Sequence, residues 1–248
     1  MVFVGFQSDK GKSRSNNEDA CFVMPKENIY VVADGVGGNN AGEIASKTAV
    51  TRVAEYIKAN PIQSVGEGSE LKEYLKACVD SVNDSILTLA GQFPENSGMA
   101  TTLIICYIHE KKAYFVNIGD SRAYIFRKNE LFQVTEDHTY VNTLVKLGAI
   151  THEEARSHRG EHVITRAMGA EKDIEADYYQ THVQEGDVIV LCTDGLYGEV
   201  SEAEMCKMIE KEKDMSILAK SLISAANKAG GSDNITVVCL RLTGGIGK

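Results

Sequence analysis

Four aspartates in this sequence stand where an apolar run begins or ends. Asp34 follows IYVVA, Asp120 follows YFVNIG, Asp194 follows VIVLCT, and Asp233 precedes NITVV. Each run would deliver a carboxylate to the end of a buried strand, and the next residue (Gly35, Ser121, Gly195 or Asn234) suits a tight turn. Taken singly, such a residue is an ordinary turn aspartate. If the four strand ends meet at one edge, their charges are crowded and must be neutralised by cations or protons. Oxygen donors without an accompanying set of His or Cys select Mg2+, Mn2+ or Ca2+ over Zn2+.

A second polar cluster lies in SDKGKSRSNNEDAC, just ahead of a strand-like run. Arg14 offers a planar fork of donors suited to a phosphate. Glu18 and Asp19 could hold metal-bound waters or orient that arginine. Alone, the segment reads as a solvated loop; beside four strand-end aspartates it reads as part of a phosphoester site.

These residues need strands to carry them. Short β-branched and aromatic runs occur at 20–24, 28–34, 101–108, 112–119, 122–127, 130–135, 187–193 and 234–241. Leu71, Tyr74, Leu75, Cys78, Val79, Val82, Ile86 and Leu89 recur at three- and four-residue intervals, which predicts one long amphipathic helix. A shorter helix is expected over 42–59. Ser201 with Glu204 spells a capping box, and Gly230–Gly231 closes a helix beginning near Met215. The order is not the strict alternation of a parallel sheet. It predicts an α+β fold: two packed antiparallel sheets with helices outside. Residues 139–172 are polar and read as a mobile surface excursion with one short helix, started by Thr151 and Glu154.

With 248 residues and 43% hydrophobic content the chain can bury one sizeable core, so a single domain over 1–248 is expected. A net charge of −9 argues against nucleic-acid or anionic-membrane partners and suits cations. Six scattered cysteines without a CxxC pair read as small buried hydrophobes in a reducing compartment. No signal-like segment or 18-residue apolar run is present, so a cytoplasmic location is expected.

RSNNED, VVADGVGG, GMATTL, NIGDSRAYIF, TEDHT, VITRAMG, LCTDGL and GGSDNITVV occur in the order found in the PPM, or type 2C, protein phosphatase family. The chain resembles the bacterial members from about residue 5 to 241. The resemblance implies a four-layer α-β-β-α sandwich and hydrolysis of phosphoserine and phosphothreonine on proteins. It implies two Mn2+ or Mg2+ ions per chain, with a third in bacterial relatives. By position, Asp34 matches the carboxylate that bridges two ions, and the Gly35 carbonyl the backbone ligand. Asp194 and Asp233 match the remaining ligands, and Asp120 with Asp194 the pair that takes the third ion. Arg14 matches the phosphate-binding arginine. Glu18 and Asp19 match residues acting through metal-bound water, and Asn234 the neighbour that supports the Asp233 turn. Residues 139–172 correspond to the flap. A phosphoprotein substrate, an opposing Ser/Thr kinase and a monomeric state are expected on the same ground.

The chemistry implied is direct attack on phosphorus by a water shared between two cations about 3.5–4 Å apart. No cysteine sits in a Cys-x5-Arg loop, so a covalent thiolate route has no support. Family members often carry a His shortly after the first Asp-Gly as general acid; here Val36 and Asn39 take the corresponding positions. A water acidified by a third cation at Asp120 is the expected substitute.

Four rival readings are weak. Gly35 and Gly37 fit GxGxxG, but Asn40 replaces the third glycine and no second βαβ unit follows; Glu43 after Gly42 likewise excludes a phosphate loop. His158, Glu161 and His162 spell the inverted zinc-protease motif, yet Gly160 and the flanking charges deny it a buried helix. A binding module that kept the sandwich would have lost carboxylates that are all present. His138 reads as a hydrogen-bonded or capping residue, and Thr101 and Thr102 as ordinary strand residues.

Overall fold

The computed structural model describes residues 1–37, 41–155 and 158–244. One antiparallel sheet has the order β2 (Asp19–Met24), β3 (Ile29–Val36), β5 (Leu103–His109), β6 (Lys112–Ile118) and β9 (Asp177–His182), with a two-residue β4 (Ala100–Thr101) on β3. The other has the order β1 (Val2–Asp9), β11 (Ile235–Leu242), β10 (Val188–Cys192), β7 (Arg122–Arg127) and β8 (Glu130–Gln133).

The strands read as continuous apolar runs because both faces of each sheet are covered. In β3, Ile29, Val31 and Ala33 pack toward α1 (Ala41–Ala59) and α2 (Ser69–Gln92). Tyr30 and Val32 instead meet Ile125, Leu191 and Val238 of the opposite sheet. The outer face of the second sheet, with Tyr124, Val190 and Val237, is covered by α5 (Asp194–Tyr197), α6 (Glu202–Lys211) and α7 (Met215–Ala229). The result is the expected four-layer α-β-β-α sandwich, with three apolar layers between four layers of backbone.

Local signals hold where they were strongest. Ser201 and Glu204 form the reciprocal capping box of α6, and α7 ends one residue before Gly230. Four cysteines are buried and Cys21 and Cys206 half-buried, all of them free thiols.

Two strands escape the sequence reading, β1 and β9, and both lie at sheet edges. β9, DYYQTH, has no apolar run because its residues are only partly covered. β1 is interrupted by Gly5, where a Cβ would stand 2.0 Å from the Met215 carbonyl carbon; close packing against α7 demands glycine there. Among the described residues of 139–172 there are two short helices rather than one, α3 (Tyr140–Lys146) and α4 (His152–Ala155), the latter opened by the expected Thr151–Glu154 pair. Among the described residues no helix is long and apolar enough to cross a membrane.

Candidate metal and phosphate site

Register alone brings the acidic residues to one edge. Asp19 lies opposite Asp34 across β2 and β3. Arg122 lies opposite Cys192 across β7 and β10, so Asp120, two residues before Arg122, and Asp194, two after Cys192, leave their strands at the same end. Asp233 enters β11 beside them, since Cys192 pairs with Val237. The turn Gly119–Asp120–Ser121 crosses from the first sheet to the second, and Gly119 takes the left-handed conformation that turn requires (φ 98°).

The glycines after Asp34 and Asp194 serve a different purpose from the one expected. Gly35 lies inside β3 and Gly195 inside α5. A Cβ on Gly35 would fall 2.0 Å from the Gly42 carbonyl oxygen, and one on Gly195 would fall 2.0 Å from that of Asn234. Both positions need glycine for close backbone approach, not for a turn.

A cavity of about 1400 Å3 opens at this edge, lined among others by Arg14, Glu18, Asp34, Gly35, Asp120, Asp194, Asp233 and Asn234. Asp19 is buried behind it, where its Oδ2 accepts from Thr193 Oγ1 at 2.8 Å. Arg14 is oriented by Asp233, at 2.8 Å, and not by Glu18 or Asp19. The second Asp233 oxygen accepts from the Asn234 N–H at 2.7 Å. Asn234 does more than support that turn: its Oδ1 accepts from the Glu18 N–H at 2.8 Å, and its Nδ2 donates to the Lys10 and Asn16 carbonyls at 2.9 Å. It thereby staples the loop bearing Arg14 and Glu18 to β11.

The electrostatics of the site are those of a carboxylate cluster. Burial, then Asp19 and Asp194, raise Asp34 well above the usual carboxylate range. Burial and then Asp194 push Asp120 up to about 7. Asp19 is pushed up to about 7 by burial, partly offset by the Thr236 and Thr193 hydroxyls. Asp194 is raised by burial and by Asp233. Oδ1 of Asp19 and Oδ1 of Asp194 are buried without a hydrogen-bond partner. Buried carboxylate oxygens without donors, in an oxygen-only set, fit a hard divalent cation. Among the described residues no three such groups are drawn to one ligating point, and both Asp233 oxygens are engaged, by Arg14 and by Asn234.

Several residues that hold the site look like plain structure in the sequence. Thr102 Oγ1 accepts from the Asp34 N–H at 2.9 Å and lies 2.7 Å from Ser121 Oγ, while Thr101 Oγ1 donates to the Asp34 carbonyl at 2.9 Å. These hydroxyls tie the Asp34 strand to the Asp120 turn, a link that strand propensity hides. His138 is hydrogen-bonded, as expected: Nδ1 accepts from the Gly119 N–H at 3.1 Å and Nε2 is 3.2 Å from Asp177. Val36 is exposed and lines the cavity mouth; Asn39 and Asn40 fall outside the described residues. His158 and His162 lie in a turn, not a helix, so they lack the alignment a zinc-protease motif needs. Of the flap histidines, His152 and His162 are exposed, whereas His158 is half-buried, packed near Tyr140 and accepting from the Gly160 N–H.

The match to known proteins covers the same ground as the cavity. The family model described as protein phosphatase 2C matches residues 8–236. The serine/threonine phosphatase stp of Listeria monocytogenes is 36% identical over 236 residues, covering 94% of this chain and 93% of that protein. The serine/threonine phosphatase of S. agalactiae superposes with a TM-score of 0.90 at 34% identity, covering 98% of this chain and 100% of the other. The catalytic domain of the phosphatase PstP, solved in complex with two manganese ions, does so with a TM-score of 0.85 at 33% identity, covering 98% of each chain. A match that extends from the loop bearing Arg14 to the strand behind Asp233, over a shared architecture, means that this chain belongs to the protein phosphatase 2C family.

Proposed function

We propose that this chain is a divalent-metal-dependent protein phosphatase that hydrolyses phosphoserine and phosphothreonine. The observation that carries this reading is the cavity in which Asp34, Asp120, Asp194 and Asp233 converge beside Arg14. Named relatives with serine/threonine phosphatase activity support the substrate class. The whole of 1–248 is read as one catalytic domain with a flap over 139–172, acting as a monomer in the cytoplasm on phosphoproteins supplied by a Ser/Thr kinase.

Asp34, the Gly35 carbonyl, Asp194 and Asp233 would hold two Mn2+ or Mg2+ ions, and Asp120 with Asp194 a third. When bound, such ions supply an acidified water as nucleophile and offset charge on the phosphoryl oxygens. The chain's own groups do the rest. Arg14, half exposed at the cavity mouth, can turn its fork from Asp233 to a phosphate. Glu18 and Asp19 hold water and steady the ligands from behind, and Asn234 sets the loop on which Arg14 and Glu18 ride. Val141, Val145, His152 and His162 of the flap line one side of the cavity, where a phosphopeptide would lie.

The test is hydrolysis of phosphoserine, phosphothreonine and phosphotyrosine peptides with and without Mn2+. Activity on the first two that disappears with EDTA and in Asp194→Asn is expected. Cation-independent turnover, or a preference for phosphotyrosine, would overturn the reading.

A further inference from the structure

Asp120 and Asp194 leave neighbouring strands at the same end, yet backbone pairing stops before it reaches them. The ladder between β7 and β10 ends at Arg122 and Cys192, and the Thr193 N–H turns away to the Thr236 carbonyl in β11. What joins the two aspartate-bearing segments is a side-chain relay. Tyr197, in the same single-turn helix as Asp194, donates its hydroxyl to the Asp120 carbonyl at 2.9 Å. The Arg122 guanidinium lies over the Tyr197 ring, 3.6 Å from its centroid.

Arg122 is in turn held from both sides. Asp137 accepts from its Nε at 3.0 Å and its Nη2 at 2.7 Å, and Nη1 donates to the Tyr124 hydroxyl at 3.1 Å. Gln133 donates to the same Asp137 carboxylate at 2.9 Å. The Arg122 and Asp137 side chains are largely buried, 23% and 14% exposed, and with Tyr197 they line the wall of the cavity next to Asp120.

We propose that Arg122 is a positioning residue for the Asp120–Asp194 pair, acting through the Tyr197 ring and hydroxyl to fix the separation of the two carboxylates and so the affinity of the cation they share. The proposal rests on the three-cation reading of the site given above. A lysine at 122 keeps the charge but can neither fork onto Asp137 nor lie flat on the ring. Phenylalanine at 197 keeps the ring and removes only the hydroxyl that reaches the Asp120 carbonyl.

Mn2+ is titrated into the full chain and into Arg122→Lys, Tyr197→Phe, the double variant and Asp120→Asn, with binding followed by calorimetry and by the Mn2+ electron paramagnetic resonance signal. In the unsubstituted chain the weakest class of Mn2+ site should vanish on Asp120→Asn. Arg122→Lys and Tyr197→Phe should each weaken that class roughly 10-fold or more and leave the tighter classes unchanged. The double variant should lose no more than the worse single one, because both act along one path. The Mn2+ concentration for half-maximal turnover should rise in step, with the phosphopeptide KM unchanged at saturating Mn2+. A merely structural role would lower all classes together, and that result, or an unchanged weakest class, overturns the assignment. If Arg122→Lys does not fold, Tyr197→Phe decides alone. If Asp120→Asn removes no Mn2+ class, the three-cation reading falls and takes this proposal with it; if it removes one that Arg122→Lys and Tyr197→Phe leave intact, only the role of Arg122 falls.

Discussion

Asp120→Asn should make the cation-free protein more stable at alkaline pH while costing it a ligand. In the folded chain Asp120 is raised from 3.8 to about 7 by burial and by the charge of Asp194. A carboxyl whose folded pKa is raised contributes stability that is fully present below its unfolded value, near 4, and lost as pH rises through about 7. At about 1.36 kcal/mol for each tenfold change in proton affinity, that rise amounts to roughly 4 kcal/mol against the fold above pH 7. Relief by a neutral isostere is shared with Asp194, which titrates against the same charge, so about 2–4 kcal/mol is expected. At roughly 2–4 °C per kcal/mol for a chain of this size, the Tm should rise by roughly 5–15 °C. The assay is thermal unfolding of both proteins in EDTA at pH 4.5, 6 and 8. The difference between them should be near zero at pH 4.5, grow through pH 6 and be largest at pH 8. Saturating Mn2+ at pH 8 should shrink or invert it, since the cation stabilises the intact site in proportion to its occupancy. An equal shift at pH 4.5 and pH 8, or a variant less stable than the parent in EDTA at pH 8, would refute the argument that buried charge dominates this edge of the fold.

Three further outcomes follow from single contacts. Arg14→Lys should lower kcat/KM on a phosphopeptide roughly 10-fold or more, because one point charge replaces a two-pronged donor; unchanged kinetics would remove Arg14 from phosphate binding. Gly195→Ala should destabilise the chain by about 3 kcal/mol or more and abolish Mn2+ uptake, because its Cβ would stand 2.0 Å from the Asn234 carbonyl; native-like calorimetry would contradict the close approach. Asn83, buried in α2, accepts from the Gly169 N–H at 2.7 Å and donates to the Glu171 and Lys172 carbonyls at 2.8 and 3.1 Å. Asn83→Ala should cost about 2–4 kcal/mol and speed proteolysis within 139–172; an unchanged cleavage rate would show that this anchor does not hold the flap.

Why some features were legible in the sequence, and others not, follows from the range over which each is specified. Continuous apolar runs such as IYVVA and VIVLC announced strands because both faces of each sheet are covered, and that burial is written residue by residue. The capping box at Ser201 and the periodicity of α2 are likewise local, and they appeared where expected. β1 and β9 escape because their residues are mostly half solvated and carry no unbroken run of this kind. Asp34, Asp120, Asp194 and Asp233 were visible as strand-end carboxylates, and the antiparallel register within each sheet sets the end at which each stands.

What lay beyond the sequence was every choice made between segments far apart in the chain. That Arg14 pairs with Asp233, that Asn234 holds the Glu18 loop, that Thr102 binds Asp34 and that Tyr197 reaches Asp120 are contacts 68 to 219 residues apart. Side-chain hydrogen bonds of this kind have no period, so pattern cannot find them. The same holds for Gly35 and Gly195, whose need for glycine arises from a neighbouring backbone and not from their own torsions. Chain chemistry by itself therefore determined the layers and the identity of the acidic groups, through burial and charge. Packing of the two sheets decided which of those groups face the cavity and which stand behind it, because only close contact in three dimensions sets distance and desolvation.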